Sequence, residues 1–213
     1  MTYDDLKHIP MSEELDLREL RLCLGTVVGA VAWPGKEEGA CIVVAMDRHS
    51  NRMLVVGEFE SWDIRELIRQ AGVLDFRFLP ERWVGDVDDS AGVFVSELNA
   101  EPGREGRRFY PTSTWMGEMD GMYRYILAEI KQLCRPDHRQ LELRDSLAVD
   151  YLSAVEQVEV SELKLGDYPG IEALAHAAII LLEKVRAEKA ALAPKPKREQ
   201  YNPLWSGLRR KRA

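Results

Sequence analysis

The residues best equipped for chemistry lie in the stretch WVGDVDDSAG, residues 83–92. Asp86, Asp88 and Asp89 follow a short apolar run and precede a glycine. Hard carboxylate oxygens at that density suit a cation such as Mg²⁺ or Mn²⁺. The same residues also suit a solvated turn in which Asp89 or Ser90 caps the next helix, and both readings are open. Glu58 and Glu60 flank Phe59, so on a strand both carboxylates share one face and Phe59 takes the other, a pattern more typical of a solvated face than of a ligand pair. Glu37 and Glu38 belong to a turn. His8, His49, His138 and His176 show no HxH or HxxxH spacing, which gives zinc little support, and His176 is expected at the edge of the core. There is no GxSxG elbow, no Walker loop and no GxGxxG, so neither nucleophilic catalysis nor a nucleotide cofactor is expected.

The elements that must position these acids follow from periodicity. LRLCLGTVVGAVAW, ACIVVAM and RMLVVGEFES are apolar, β-branched runs separated by the turns WPGKEEG and DRHSN, which reads as an antiparallel three-strand meander. Ile64, Leu67, Ile68 and Ala71 then recur at helical spacing behind Asp63, whose carboxylate suits free helix amides. FRFLPERWVGDV reads as a fourth strand broken by Pro80, and AGVFVSELNA as a helix, so the acidic turn falls at the carboxyl end of a strand, where α/β sheets place ligands. A fifth strand is expected around Arg107–Tyr110, with helices from Met119 to Cys134 and from Leu141 to Val155. A long helix is expected in IEALAHAAIILLEKVRAEKAAL. Three segments result: a polar stretch 1–19, with a short helix after Ser12; a domain over 20–193; and a basic, Pro-containing tail over 194–213.

A chain of 213 residues with 46% hydrophobic content can bury one substantial core. Its formal charge of −7 is segregated. Residues 195–213 carry seven Lys/Arg against one Glu, net +6, which leaves 22 Lys/Arg against 35 Asp/Glu, net −13, in the first 194. Cys23, Cys41 and Cys134 are odd in number, far apart and set in or beside apolar runs, as reduced structural thiols of a cytoplasmic protein would be. The acidic start is unlike a secretion signal, and LAHAAIILL is about half of the ~20 residues that a membrane span needs, so no membrane association is expected.

The order of three antiparallel strands, helix, acid-bearing fourth strand and further helices resembles that of the ribonuclease-H-like fold, an α/β mixed sheet flanked by helices. Within it, GTVVGAVAWPGKEEGACIVVAMD, RMLVVGEFES, RWVGDVDDSAGVFVSELN and GDYPGIEALAHA look like the successive blocks of the phage terminase large subunit nuclease domain, over roughly residues 20–190. The resemblance implies two Mg²⁺ or Mn²⁺ ions held by carboxylates for phosphodiester hydrolysis in DNA packaging or processing, with DNA and packaging proteins as partners. It points to Asp88 as the fourth-strand acid, with Asp86 or Asp89 assisting, and to Asp167 or Glu172 at the start of the last helix. The chain departs from that pattern on the first strand, where Gly29-Ala30-Val31-Ala32-Trp33 carries no acid, and at Tyr168-Pro169, where an acidic pair is expected. Two readings follow: a metal-dependent nuclease, or an adaptor of the same fold that binds DNA or a packaging partner without cutting. The basic run Arg209, Arg210, Lys211 and Arg212 is the candidate contact for phosphates, while Tyr201 and Trp205 ahead of it equally suit a protein partner.

Overall fold

The computed structural model describes residues 24–48, 52–85, 89–100, 109–111, 120–133, 141–142 and 168–192. Three nine-residue strands open it: β1 (Leu24–Ala32), β2 (Gly39–Asp47) and β3 (Met53–Ser61). Helix α1 (Ile64–Phe78), strand β4 (Arg82–Gly85) and helix α2 (Asp89–Ala100) follow. Strand β5 (Phe109–Pro111), helix α3 (Asp120–Leu133), strand β6 (Leu141–Glu142) and helix α4 (Pro169–Leu192) complete the order.

The strands form one sheet in the order β5-β4-β1-β2-β3-β6. β1–β2 and β2–β3 are antiparallel, as the turn-linked apolar runs require, whereas β4 runs parallel to β1, β5 to β4 and β6 to β3. Alternation along the strands divides the core in two. On one face Val28, Ala30, Ala32, Ile42, Val44 and Val84 pack under α3 and α4. On the other, Val27, Val31, Cys41, Val43 and Trp83 pack under α1 and Phe94 of α2. The meander is irregular at one point: Val43 pairs with Gly57 but Val44 with Val55, so β3 carries an extra residue. Such a bulge resets which face each later residue takes. Val55 faces α3 and α4, Val56 faces α1, and Gly57 also lies against α1, where a Cβ would meet Leu74 at 2.7 Å.

Helix α1 starts as its sequence signals predict, with the Asp63 carboxylate accepting from the Arg65 amide at 2.9 Å. Its end does not follow them. Phe76–Phe78, read above as the start of the fourth strand, continue the helix, because the helical spacing persists through Leu67, Ala71, Leu74 and Phe78, all buried. Leu79 then stops the helix in the left-handed region (φ 48°), its amide donating to the Asp75 carbonyl at 2.9 Å. The fourth strand is thereby confined to Arg82–Gly85. Leu141 and Glu142, expected to begin a helix, pair instead with Met53 and Leu54 as β6. The rest of that expected helix, the segment 1–19, Cys23, Cys134 and the tail lie outside the described residues. Among the described residues no helix is long and apolar enough to cross a membrane.

Candidate functional site

The end of the sheet where β1, β3 and β4 finish is the candidate site. β4 is held against β1 there by Gly85, whose register partner is Val31. A Cβ on Gly85 would lie 2.1 Å from the Val31 carbonyl oxygen, so only glycine permits this approach. The acidic stretch follows Gly85 directly in sequence. Asp86 and Asp88 lie outside the described residues, whereas Asp89 opens α2.

Helix α4 covers the same end of the sheet. Its first residues are set by Pro169, which suits the first helical position because its missing amide would have no partner there, and the Glu172 amide donates to the Tyr168 carbonyl at 2.9 Å. The helix runs antiparallel to β1. Gly170 and Leu174 sit over Ala40 and Ile42 of β2, which pair with Ala32 and Ala30 of β1. At the far end Lys184 donates to the Thr26 hydroxyl near the start of β1 and approaches Glu81 at 3.5 Å. From Ile171 to Ala178 the helix is buried on every side. Glu172, the candidate acid of the last helix, is thus 1% exposed, and His176, expected at the core edge, is wholly buried. One turn apart, His176 Nε2 and Glu172 Oε1 stand 3.7 Å from each other.

Ala30 and Ala32 are buried on the α4 face of the central strand, with Val84 of β4 in the same cluster. Trp33 turns to the opposite face and meets Phe94 edge-on at 5.7 Å between ring centroids. A methyl floor therefore occupies the face on which a strand acid would meet the last helix. Among the described residues no three His, Cys, Asp or Glu side chains gather closely enough to hold a metal ion. A cation at this end of the sheet would need ligands from Asp86, Asp88, Asp89 or Asp167, and Asp167 also lies outside the described residues. So do Arg209, Arg210, Lys211 and Arg212.

Glu58 and Glu60, expected on a solvated face, are instead only partly exposed. The bulge in β3 places both on the α4 face, where they are half-buried and rim a groove floored by Ala40, Ile42 and Val55 and walled by Leu174. Ala40 pairs with both Ala32 and Glu60, so the Glu60 backbone stands two strands from Ala32, about 10 Å. The signal was Gly57 in VVGEFE, since a glycine inside a strand pattern often marks a bulge. Cys41 on β2 is fully buried, and that burial pushes its thiol pKa up, so it packs as an inert thiol.

Three antiparallel strands, with β4 and β5 added parallel on the β1 side and helices on both faces, make an α/β protein built on one mixed sheet. The chain is similar in structure to viral terminase nuclease domains and to a viral Holliday junction resolvase. They include the human cytomegalovirus terminase nuclease domain, Mn-soaked and inhibitor-bound (TM-score 0.49, 11% identity, 88% of this chain and 97% of that one). They also include the large terminase nuclease domain of bacteriophage SPP1 with bound Mn (0.44, 14%, 80% and 93%) and the fowlpox virus Holliday junction resolvase (0.40, 11%, 78% and 99%). No protein-family model matches the sequence, and no curated protein matches it.

Proposed function

We propose that this chain is a ribonuclease-H-like adaptor of DNA packaging or processing, acting in the cytoplasm, that binds DNA or a packaging partner and does not by itself cut phosphodiesters. One observation carries this reading: Ala30 and Ala32 occupy the α4 face of the central strand, buried to 0% and 1% exposure. Two-metal hydrolysis needs oxygen ligands that bridge cations ~3.5–4 Å apart, and two methyl groups supply neither a ligand nor a negative charge there.

A second reading, metal-dependent cleavage, is favoured by Gly85, which brings the chain onto β1 immediately before three aspartates. In that reading Asp88, aided by Asp86 or Asp89, and Asp167 or Glu172 would hold Mg²⁺ or Mn²⁺. The ions would activate water and stabilise the leaving oxygen.

Plasmid cleavage with Mg²⁺ and with Mn²⁺ separates the two. The unaltered protein is expected to leave plasmid intact. Ala32→Asp, and separately Ala30→Asp, each combined with Tyr168→Asp/Pro169→Asp, is expected to raise cleavage on the order of 10²-fold, the scale of one electrostatic stabiliser in a transition state. Cleavage by the unaltered protein that disappears in Asp88→Asn would refute the adaptor and establish the nuclease.

A further inference from the structure

Helix α1 buries Leu67, Ile68, Ala71, Leu74 and Phe78 and turns Arg65, Arg69, Val73 and Phe76 outward. Spaced by four, four and three residues, these last four share one face. Val73 is 49% and Phe76 63% exposed, so two large apolar side chains stand in solvent one turn apart. Gly72 lies beside them, and a Cβ there would meet nothing within 4 Å, so packing among the described residues does not call for a glycine. A glycine inside a helix costs about 1 kcal/mol relative to alanine, and what it offers in return is room for another backbone to approach. Upstream on the same face, Glu66 accepts from Arg69 Nε and Nη2 at 2.7 and 2.6 Å, contacts that do not use Nη1.

The segment before β1 carries a matching row. Residues 1–19 have a net charge of −4, six Asp/Glu against Lys7 and Arg18, and the helix expected after Ser12 aligns Glu13, Leu17 and Leu20 at the same four-and-three spacing as Arg69, Val73 and Phe76. The point of attachment sets how that helix can run. Leu24 opens β1, buried in the cluster that holds Leu74 and Phe78, and the Glu81 amide donates to the Val27 carbonyl at 2.9 Å, so the segment enters the fold beside the end of α1. Leu20, four residues before Leu24, stays within about 13–14 Å of it. With Leu20 at Phe76, a helix running toward β1 rises in step with α1, about 1.5 Å per residue, which sets Leu17 at Val73 and Glu13 at Arg69. The C-terminal tail, net +6 over residues 195–213, would bring like charge to these arginines and is the poorer occupant.

We propose that the chain's own N-terminal segment docks on this face of α1 as a helix parallel to it, with Leu17 and Leu20 covering Val73 and Phe76, and Glu13 meeting Arg69. The docked segment closes the apolar patch against other chains. This contact does not depend on whether the domain binds or cuts DNA.

Hydrogen–deuterium exchange of the intact chain, read by mass spectrometry, tests the contact on the amides of residues 13–20. They are expected to exchange about tenfold more slowly in the unaltered chain than in Val73→Ser/Phe76→Ser, the scale of burying one large apolar side chain. Amides of β1 and β2 are expected to keep their rates, because both substituted side chains are exposed. Glu13→Arg is expected to lose part of the protection and Glu13→Arg/Arg69→Glu to regain it, which a general loosening of the fold would not do. Equal exchange over residues 13–20 in all four proteins would overturn the proposal. Glu13→Arg alters none of the described residues, so if the double serine variant does not fold, an unchanged rate in Glu13→Arg overturns the proposal by itself. Protection that grows with protein concentration would give the patch to a second copy, and would equally overturn intramolecular docking.

Discussion

Trp83 shows how much a single side chain can decide. It is completely buried, its indole N–H donates to the Asp75 carboxylate at 3.0 Å, and its ring meets Phe94 edge-on at 5.2 Å. A Cβ on Gly29 would come within 2.5 Å of that ring, so β1 needs glycine where Trp83 crosses it. One residue thereby joins α1, β1, β4 and α2. Trp83→Phe keeps an aromatic ring but removes the donor to a buried carboxylate, and it is expected to cost about 2–3 kcal/mol. Urea unfolding measures this, and a loss below about 0.5 kcal/mol would show that the indole hydrogen bond contributes little. Local pattern does not reveal this contact: it places Trp83 on a strand, but the partner Asp75 lies near the end of a helix that runs on into strand-like composition.

Among the elements, β4 is the critical one, being only four residues long and paired on both sides. Its attachment to β1 ends at Gly85, and Gly85→Ala would drive a methyl group into the Val31 carbonyl. The expected cost is about 3 kcal/mol, at the upper end for inserted methyl groups because the obstacle is backbone. Thermal unfolding reads the loss, and a variant as stable as the parent would mean that β4 can shift without penalty. The bulge in β3 is the second decisive feature. Uninterrupted alternation from Val55 would have put Glu58 and Glu60 on the α1 face. The extra residue puts them beside α4, on the row that continues through Ala40 to Ala32. The existence and order of the meander, and that Glu58 and Glu60 share a face, were readable from period-two patterning, but which face they share was not.

For the whole molecule, charge segregation governs what it can meet. An acidic body repels duplex DNA, so under the proposed DNA-binding role the phosphate contact is expected at the tail. Four to six such contacts predict a loss of affinity of about 10²–10³-fold between 50 and 200 mM salt. Replacing Arg209, Arg210, Lys211 and Arg212 together by alanine is expected to remove most of that slope, as measured by fluorescence anisotropy on labelled duplex. An unchanged slope would move the contact elsewhere.

By itself the sequence determined the meander, the long last helix, the opposed charges of body and tail, and a first strand without any acid, because each is written in local composition and period. Only the tertiary structure decided that β4 lies parallel beside β1, that Glu172 and His176 are enclosed, and that Ala30 and Ala32 floor the face beneath α4. Those outcomes depend on contacts between residues far apart in the chain. A glycine that lets two strands touch, and one extra residue that turns a strand over, leave little trace in hydrophobic pattern, yet they set which side chains share a space.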